Sequence, residues 1–590
     1  MSYKDFAVTV LIAASLLTLA GCGREPAEPV EKMPPVVEAN KAAQDAWNAH
    51  ASQFVDEYLA AQPAFAVSAG RHEFDGKMPD LSKAGIEKEI ARLRAARTTL
   101  EGISPEPLTE AQRFEREHLF AVIDGDLFWL ERAQLPFTNP AFYIGRLDPQ
   151  VYLTRQYAPL EKRLEGYIGY AQAIPAIAAN VKENLRTPLP KSYVERGVAG
   201  FGGFATFYRN EVPKVFADVR DPELQKSLAT ANEAAAKSME DLKKWFEGQR
   251  KTASNNYALG AEVFTAMLKQ TEGVDISLEE LAKMGRADLD RNLAALKDAC
   301  AQFLPKGSIV DCIAKMNANK PKAAPVAAAT EQLKSLKAFL IEKNLVTIPG
   351  TEEALVDESP PYNRGNAAYI NIPGPFESGL PSTYYITPPD PSWSAAERAA
   401  YISSQANLLF TSAHEVWPGH FLQFLHMNRN PSKSAALWYS YANTEGWAHY
   451  TEELMWEAGL GNGDPEIHIA QLVNALLRNV RFVSALGLHT QGMSLEESEK
   501  LFRDSAYSDA GNARQQAARG TYDPGYLNYT LGKLMIRKLR ADWTAKQPGA
   551  DDPARRAQLW HDFHDKFLSY GGPTIPLIRK AMLGDEGTLF

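Results

Sequence analysis

"HEVWPGH", residues 414–420, is the stretch whose reading decides the fold. Two histidines flank a glutamate and a Pro-Gly pair, and they stand six positions apart. The shorter arrangement H-E-x-x-H puts both histidines on one helical face, where they can share a metal ion. Each helical residue turns about 100°, so ligands four apart are neighbours, while ligands six apart diverge by roughly 120°. A regular helix therefore cannot aim both His414 and His420 at one ion. The inserted residues suggest a way out. Pro418 lacks the N–H that would bond the carbonyl of residue 414, and its ring clashes with that carbonyl. Gly419 tolerates dihedrals closed to other residues. The expectation is a helix holding His414 and Glu415, interrupted between Val416 and His420, with both rings converging afterwards. The alternative is a plain helix end, with Pro-Gly as the stop signal and His420 opening the next helix.

A catalytic zinc takes three protein ligands and keeps one position open. Two histidines and a glutamate are one common set. "NTEGWAHYTEEL" (443–454) offers Glu445, 25 residues after His420, on a helix that Asn443 or Thr444 could cap. Glu415 would be the general base towards the zinc-bound water. Six of the eleven histidines lie between residues 414 and 489: His414, His420, His426, His449, His468 and His489. His449 follows Glu445 by four and shares its face, so it is the substitute nitrogen ligand if His420 cannot ligate.

Around this centre the chain reads as helical. Residues 85–103 and 224–249 carry apolar positions at helical spacing, and 154–185 reads as two helices broken near Pro175. "AAYINIP" (367–373) and "STYYITPP" (382–389) read as two short strands in a hairpin. "NKPKAAPVAAAT" (319–330) is a low-complexity connector, which divides the chain into an N-terminal helical region, 46–330, and a catalytic region, 331–590.

The first residues are a targeting segment. Lys4 is followed by a short apolar run and "LAGC" (19–22), which resembles the bacterial lipobox. This implies a signal peptide over 1–21, cleavage before Cys22 and lipid attachment to its sulfur. A Pro- and Glu-rich stretch follows, read as a flexible tether over 22–45. The expected location is the cell envelope, lipid-anchored, on the periplasmic face of the outer membrane. Cys300 and Cys312 are then either a disulfide or two buried thiols. A net charge of −9 and a pI near 5.8 give no basic field for nucleic acid.

"HEVWPGHFLQ" followed by "EGWAHYTEEL" resembles the bacterial family known as domain of unknown function 885, with its pattern H-E-x-x-P-G-H then E-G-W-A. "GLHTQGMSLEES" (487–498) and "TYDPGYLNYTLGKL" (521–534) fit it as well. The family is similar to helical zinc metallopeptidases of the gluzincin type. The resemblance implies a mainly α, large helical fold with a deep cleft, His414, His420 and Glu445 as zinc ligands, and Glu415 as base. The chain departs from the pattern at Ala485, where the family commonly has Asp, and at His449, where it often has Leu. Enzymes of this type often take an oxyanion donor from a later helix. Asp523 and Pro524 make a good helix start, and Tyr526 and Tyr529 follow three apart. Tyr529 is the first choice of donor and His489 a second, or both tyrosines pack in the core. Arg364, Arg519 and Tyr526 are candidates for holding substrate.

The resulting expectation is a zinc-dependent peptidase acting on a peptide substrate, with a small β-hairpin or short sheet at the cleft edge. Two other readings stay open: an inactive envelope binding lipoprotein of the same fold, and a zinc amidase acting on a non-peptide or cell-wall amide. The sequence fixes neither the oligomeric state nor whether cleavage is internal or terminal.

Overall fold

Helices build most of the chain in the computed structural model, which describes residues 36–590 apart from 361, 362, 365, 585 and 586. The signal segment, Cys22 and the first part of the tether lie outside these residues. The rest of the expected tether is helical: a helix runs from Val36 to Ala61, and Trp47 is buried on it.

The expected amphipathic helices form as Lys83–Glu101 and Pro222–Gln249. The 154–185 stretch corrects its expectation, because one continuous helix, Leu160–Asn184, passes through Pro175. Proline there removes a single backbone bond. Buried Ile174, Ile177, Ala178 and Val181 hold the turns on either side in the core. Pro325, inside the expected connector, starts the helix Pro325–Lys343. Its buried Leu333, Leu336 and Leu340 belong to the same apolar core as Leu289, Phe410, Trp447 and Leu531. That core thus runs across residues 330 and 331. Cys300 and Cys312, also in this core, are joined as a disulfide between the helices Leu278–Phe303 and Ile309–Ala318.

Three strands interrupt the helices: β1 (Leu355–Glu358), β2 (Ala368–Asn371) and β3 (Thr383–Ile386). The expected pair is present, with β2 antiparallel to β3 and Tyr369 opposite Tyr385. β1 was not expected, and it pairs parallel with β3, so β3 is the centre of the sheet. Tyr384 on β3 is fully buried in the core that holds the Gln405–Glu415 helix.

The N-terminal region has its own apolar core, built on helices Leu160–Asn184, Lys191–Asn210 and Pro222–Gln249. Polar ties bind it to the rest. Arg155 pairs with Glu377 and donates to the Ile372 carbonyl, Asn139 donates to the Tyr522 carbonyl, and His118 meets the Ser434 carbonyl.

Candidate metal centre

The helix Gln405–Glu415, started by Ser404 accepting from the Asn407 N–H, carries His414 and Glu415 in its last turn. It ends there. Residues 416–419 are irregular, and a new helix runs from His420 to Met427. The reason for Gly419 is space rather than conformation, since its φ is −75°. An added Cβ would lie 1.8 Å from the His414 carbonyl oxygen, because the chain folds directly back over that turn. The Gly419 N–H donates to the Ala413 carbonyl, and the break brings the two imidazoles to a ring separation of 4.8 Å.

Glu445 comes from the helix Tyr441–Glu457. Its cap is Ser440, not Asn443 or Thr444; Asn443 is turned inward, donating to the carbonyls of Gly571 and Pro573. Each residue of "EGWA" has a distinct task. Gly446 lets the backbone of Gly532 approach, and an added Cβ would lie 2.5 Å from the Gly532 Cα. Buried Trp447 donates from Nε1 to the Pro418 carbonyl, tying this helix to the break. Ala448 is fully buried.

His414, His420 and Glu445 meet: one ligand atom from each lies within 4.8 Å of the others, the one such group of His, Cys, Asp and Glu among the described residues. Glu445 Oε2 stands 3.3 Å from His414 Nε2 and 3.4 Å from His420 Nε2. That oxygen is buried with no hydrogen-bond partner. Two nitrogens and one oxygen converging on a point, with the oxygen otherwise unsatisfied, fit a three-ligand zinc site. Burial pushes the Glu445 carboxyl up, but His420 and His414 outweigh it and hold it well below the usual range. Burial likewise pushes His414 down, while Glu445 and Glu452 carry it up to about 9.

The sequence reading passed over Glu452. It accepts from His414 Nδ1 at 2.7 Å, and Arg478 lies 3.2 Å from the same oxygen. This carboxylate fixes which nitrogen of His414 carries the proton and turns the other towards Glu445. A signal for it existed, since Glu452 follows Glu445 by seven, two helical turns along the same face.

Glu415 is half-buried beside both histidines and Glu445. Burial lifts its carboxyl above the usual range, against the pull of His414 and His420. Tyr529, on the helix Asn528–Ala545, donates its O–H to Glu445 Oε1 at 3.0 Å.

Other expected site residues are not at the cluster. His489 is buried, one ring nitrogen 2.7 Å from the Gly520 carbonyl and the other accepting from the Leu259 N–H. Both nitrogens are spent on backbone, and burial pushes the ring down to about 4. Tyr526 lies in a 3₁₀ turn, Pro524–Leu527, rather than in the helix of Tyr529. The change of phase aims it into the core, where it donates to Ser484. Asp523 does not cap that turn with its side chain; it pairs with Arg519 at 2.9 Å. Arg364 is exposed and donates to the Ser359 carbonyl. His449 is fully buried with neither ring nitrogen hydrogen-bonded, its Nδ1 3.7 Å from Glu452, and it lies outside the ligand group. Arg519 does lie near, donating to the Tyr441 hydroxyl, whose ring packs 5.8 Å from that of Tyr529.

A cavity of about 870 Å³ lies in the N-terminal region, lined by Tyr58, Arg92, Asp126 and Arg146 among others, and by no member of the cluster. A second, of about 320 Å³, shares Phe65, Asp126 and Trp129 with it and ends at Tyr439 and Tyr441.

No curated protein matches the sequence. Two solved structures share the fold. One, described as a candidate lipoprotein of unknown function from Shewanella oneidensis, aligns with a TM-score of 0.74 at 23% identity, over 91% of this chain and 99% of that one. The other, a candidate lipoprotein from Colwellia psychrerythraea, aligns with a TM-score of 0.76 at 19% identity, over 92% and 98%. The family model for bacterial proteins of unknown function, DUF885, matches residues 63–582, a span holding the broken-helix histidines, Glu445 and Tyr529, and the chain belongs to that family.

Proposed function

We propose that this protein is a zinc-dependent hydrolase of peptide bonds. The observation that carries the reading is the convergence of His414 Nε2 and His420 Nε2 on one unpartnered oxygen of Glu445, with Glu415 beside them. When bound, zinc would polarise the amide carbonyl and acidify a water. Glu415 takes the proton of the attacking water and passes it to the leaving nitrogen. Burial raises its proton affinity, which suits a group that must take up and release a proton. Tyr529, whose O–H donates to Glu445 Oε1 in the structure, would turn that donor to the oxygen on which negative charge develops. Glu452 keeps His414 in the ligating tautomer.

The test compares two variants. Glu415→Gln keeps size and hydrogen bonding, so it retains zinc but loses hydrolysis by about 10²–10⁴-fold. Glu445→Gln loses zinc as well. Zinc content by mass spectrometry is read beside turnover of a peptide pool. A Glu415→Gln protein that cuts at the wild-type rate removes Glu415 as base, and one that loses zinc as fully as Glu445→Gln makes it a ligand. Zinc binding with no peptide cut would point to another amide or to a binding protein.

The location proposed is the cell envelope, through lipid on Cys22. "LAGC" supports it, as does the description of both similar structures as candidate lipoproteins. Among the described residues no helix is long and apolar enough to cross a membrane. Cys22→Ser should leave the membrane fraction or stay unprocessed; equal fractionation and processing of variant and wild type would refute the anchor.

A further inference from the structure

Three guanidinium groups surround the Tyr529 ring. Arg481 lies 4.8 Å from its centre, and Arg478 and Arg519 each lie 6.0 Å away. Two of them have carboxylates of their own: Arg478 has Glu452, and Arg519 has Asp523. Arg481 has none among the described residues. Its Nε donates to the neutral Gln516 amide, and its terminal nitrogens make no hydrogen bond there. Yet the residue is only 8% exposed. Burying a cation without a counter-charge, beside two like charges, is costly for a fold. Burial, and next the charge of Arg519, press this guanidinium below the ordinary arginine range. The Tyr529 face and the Gln516 amide offset only part of that cost, and no carboxylate among the described residues offsets the rest.

The position suggests what does. Tyr529 presents its face to Arg481 and its hydroxyl to Glu445, so one side chain spans the interval from guanidinium to ligand set. An extended peptide advances about 3.3–3.6 Å per residue. One or two residues would fill that interval. Guanidinium is the side chain best shaped to grip a carboxylate in two parallel bonds.

We propose that Arg481 binds the C-terminal carboxylate of the substrate, so that the bond cut is the last or the last but one of a peptide with a free C-terminus. The inference rests on the hydrolase reading above and names its substrate class. It also moves the anchoring role from Arg519, which Asp523 and Tyr441 already engage, to a residue the sequence did not single out.

The experiment offers the zinc-loaded protein one peptide pool in two forms, ending in free carboxylates or in amides. The expected result is a preference for the free acids of at least about tenfold in kcat/KM, the worth of one charge-assisted bond. Arg481→Gln should abolish most of that preference through KM, and Arg481→Lys should keep part of it. A second readout needs no turnover: calorimetric binding of N-acetyltrialanine and of its amide to zinc-loaded Glu415→Gln protein, with and without Arg481→Gln. Equal handling of acid and amide by the unsubstituted Arg481 site overturns the proposal, as does full retention of the preference in Arg481→Gln. If neither pool is cut, the hydrolase reading fails on its own, and the calorimetry still decides the anion site. Should Arg481→Gln not fold, the acid-to-amide ratio of wild type and Arg481→Lys decides instead.

Discussion

At the scale of single residues, the proposed ligand set depends on a carboxylate outside it. Glu452 is fully buried, held charged by Arg478 and His414 against the penalty of burial, and it orients the His414 ring. Glu452→Gln should keep the fold and the three ligands while weakening zinc about 10–100-fold, the usual effect of removing such a partner. Competition against a graded chelator measures this, and an unchanged zinc affinity would show that His414 needs no such support. His414, His420, Glu415 and Glu445 were legible because the motif states both residue type and spacing. His489 and Tyr526 were misread because residue type alone does not say which partner a side chain finds. His489 found the Gly520 carbonyl and the Leu259 N–H, and Tyr526 found Ser484.

Among the elements, the helices Tyr441–Glu457 and Asn528–Ala545 set the distance between Glu445 and Tyr529. They touch through glycines: an added Cβ at Gly532 would lie 1.9 Å from the Ala442 carbonyl oxygen. Gly532→Ala must therefore push the helices apart. The expected cost is about 1–3 kcal/mol in denaturant unfolding, typical of overpacking, with weaker zinc retention because Glu445 moves. A variant with the wild-type midpoint and zinc content would show that this contact does not hold the site. The broken helix at 416–419 was readable, because Pro and Gly forbid a regular turn there. The continuity through Pro175 was not, because one lost backbone bond is outweighed by apolar burial that only the tertiary structure supplies. β1 escaped as well: its four residues, Leu355–Glu358, are mostly exposed and show no apolar alternation.

For the whole molecule, the relation between the N-terminal helices and the candidate metal centre is the governing feature, and His118 reports on it. It sits on the helix Glu110–Leu127, 3% exposed, with Nε2 at 3.2 Å from the Ser434 carbonyl. Burial pushes its ring down to about 4, so it stays neutral in the folded chain while the unfolded chain takes up a proton below about 6.5. Its contribution is therefore complete above about pH 6.5 and is lost as pH falls towards 4, by about 1.4 kcal/mol per unit. His118→Gln keeps a donor for Ser434 and does not titrate. The stability of wild type should fall relative to this variant across that window, because the comparison cancels other titrating groups. Parallel curves from pH 7 to 5 would mean that His118 is charged in the fold. The helical class was legible from periodicity, but the second half of the connector, from Pro325 on, was not recognisable as packed helix, since its alanines look the same in a linker and in a tight helix contact.

The glycine contact between the helices of Glu445 and Tyr529 has a mechanical consequence. Two backbones in direct contact have no side-chain cushion to compress, so they cannot serve as a hinge. Any breathing that admits a substrate must come from the covering segments, whose links to the site half include the Asn139, Gln150 and Arg155 side-chain bonds. On the proposed reading, the chemistry is bolted to a rigid floor, and the tempo of entry and release is set by walls that carry none of the reacting groups.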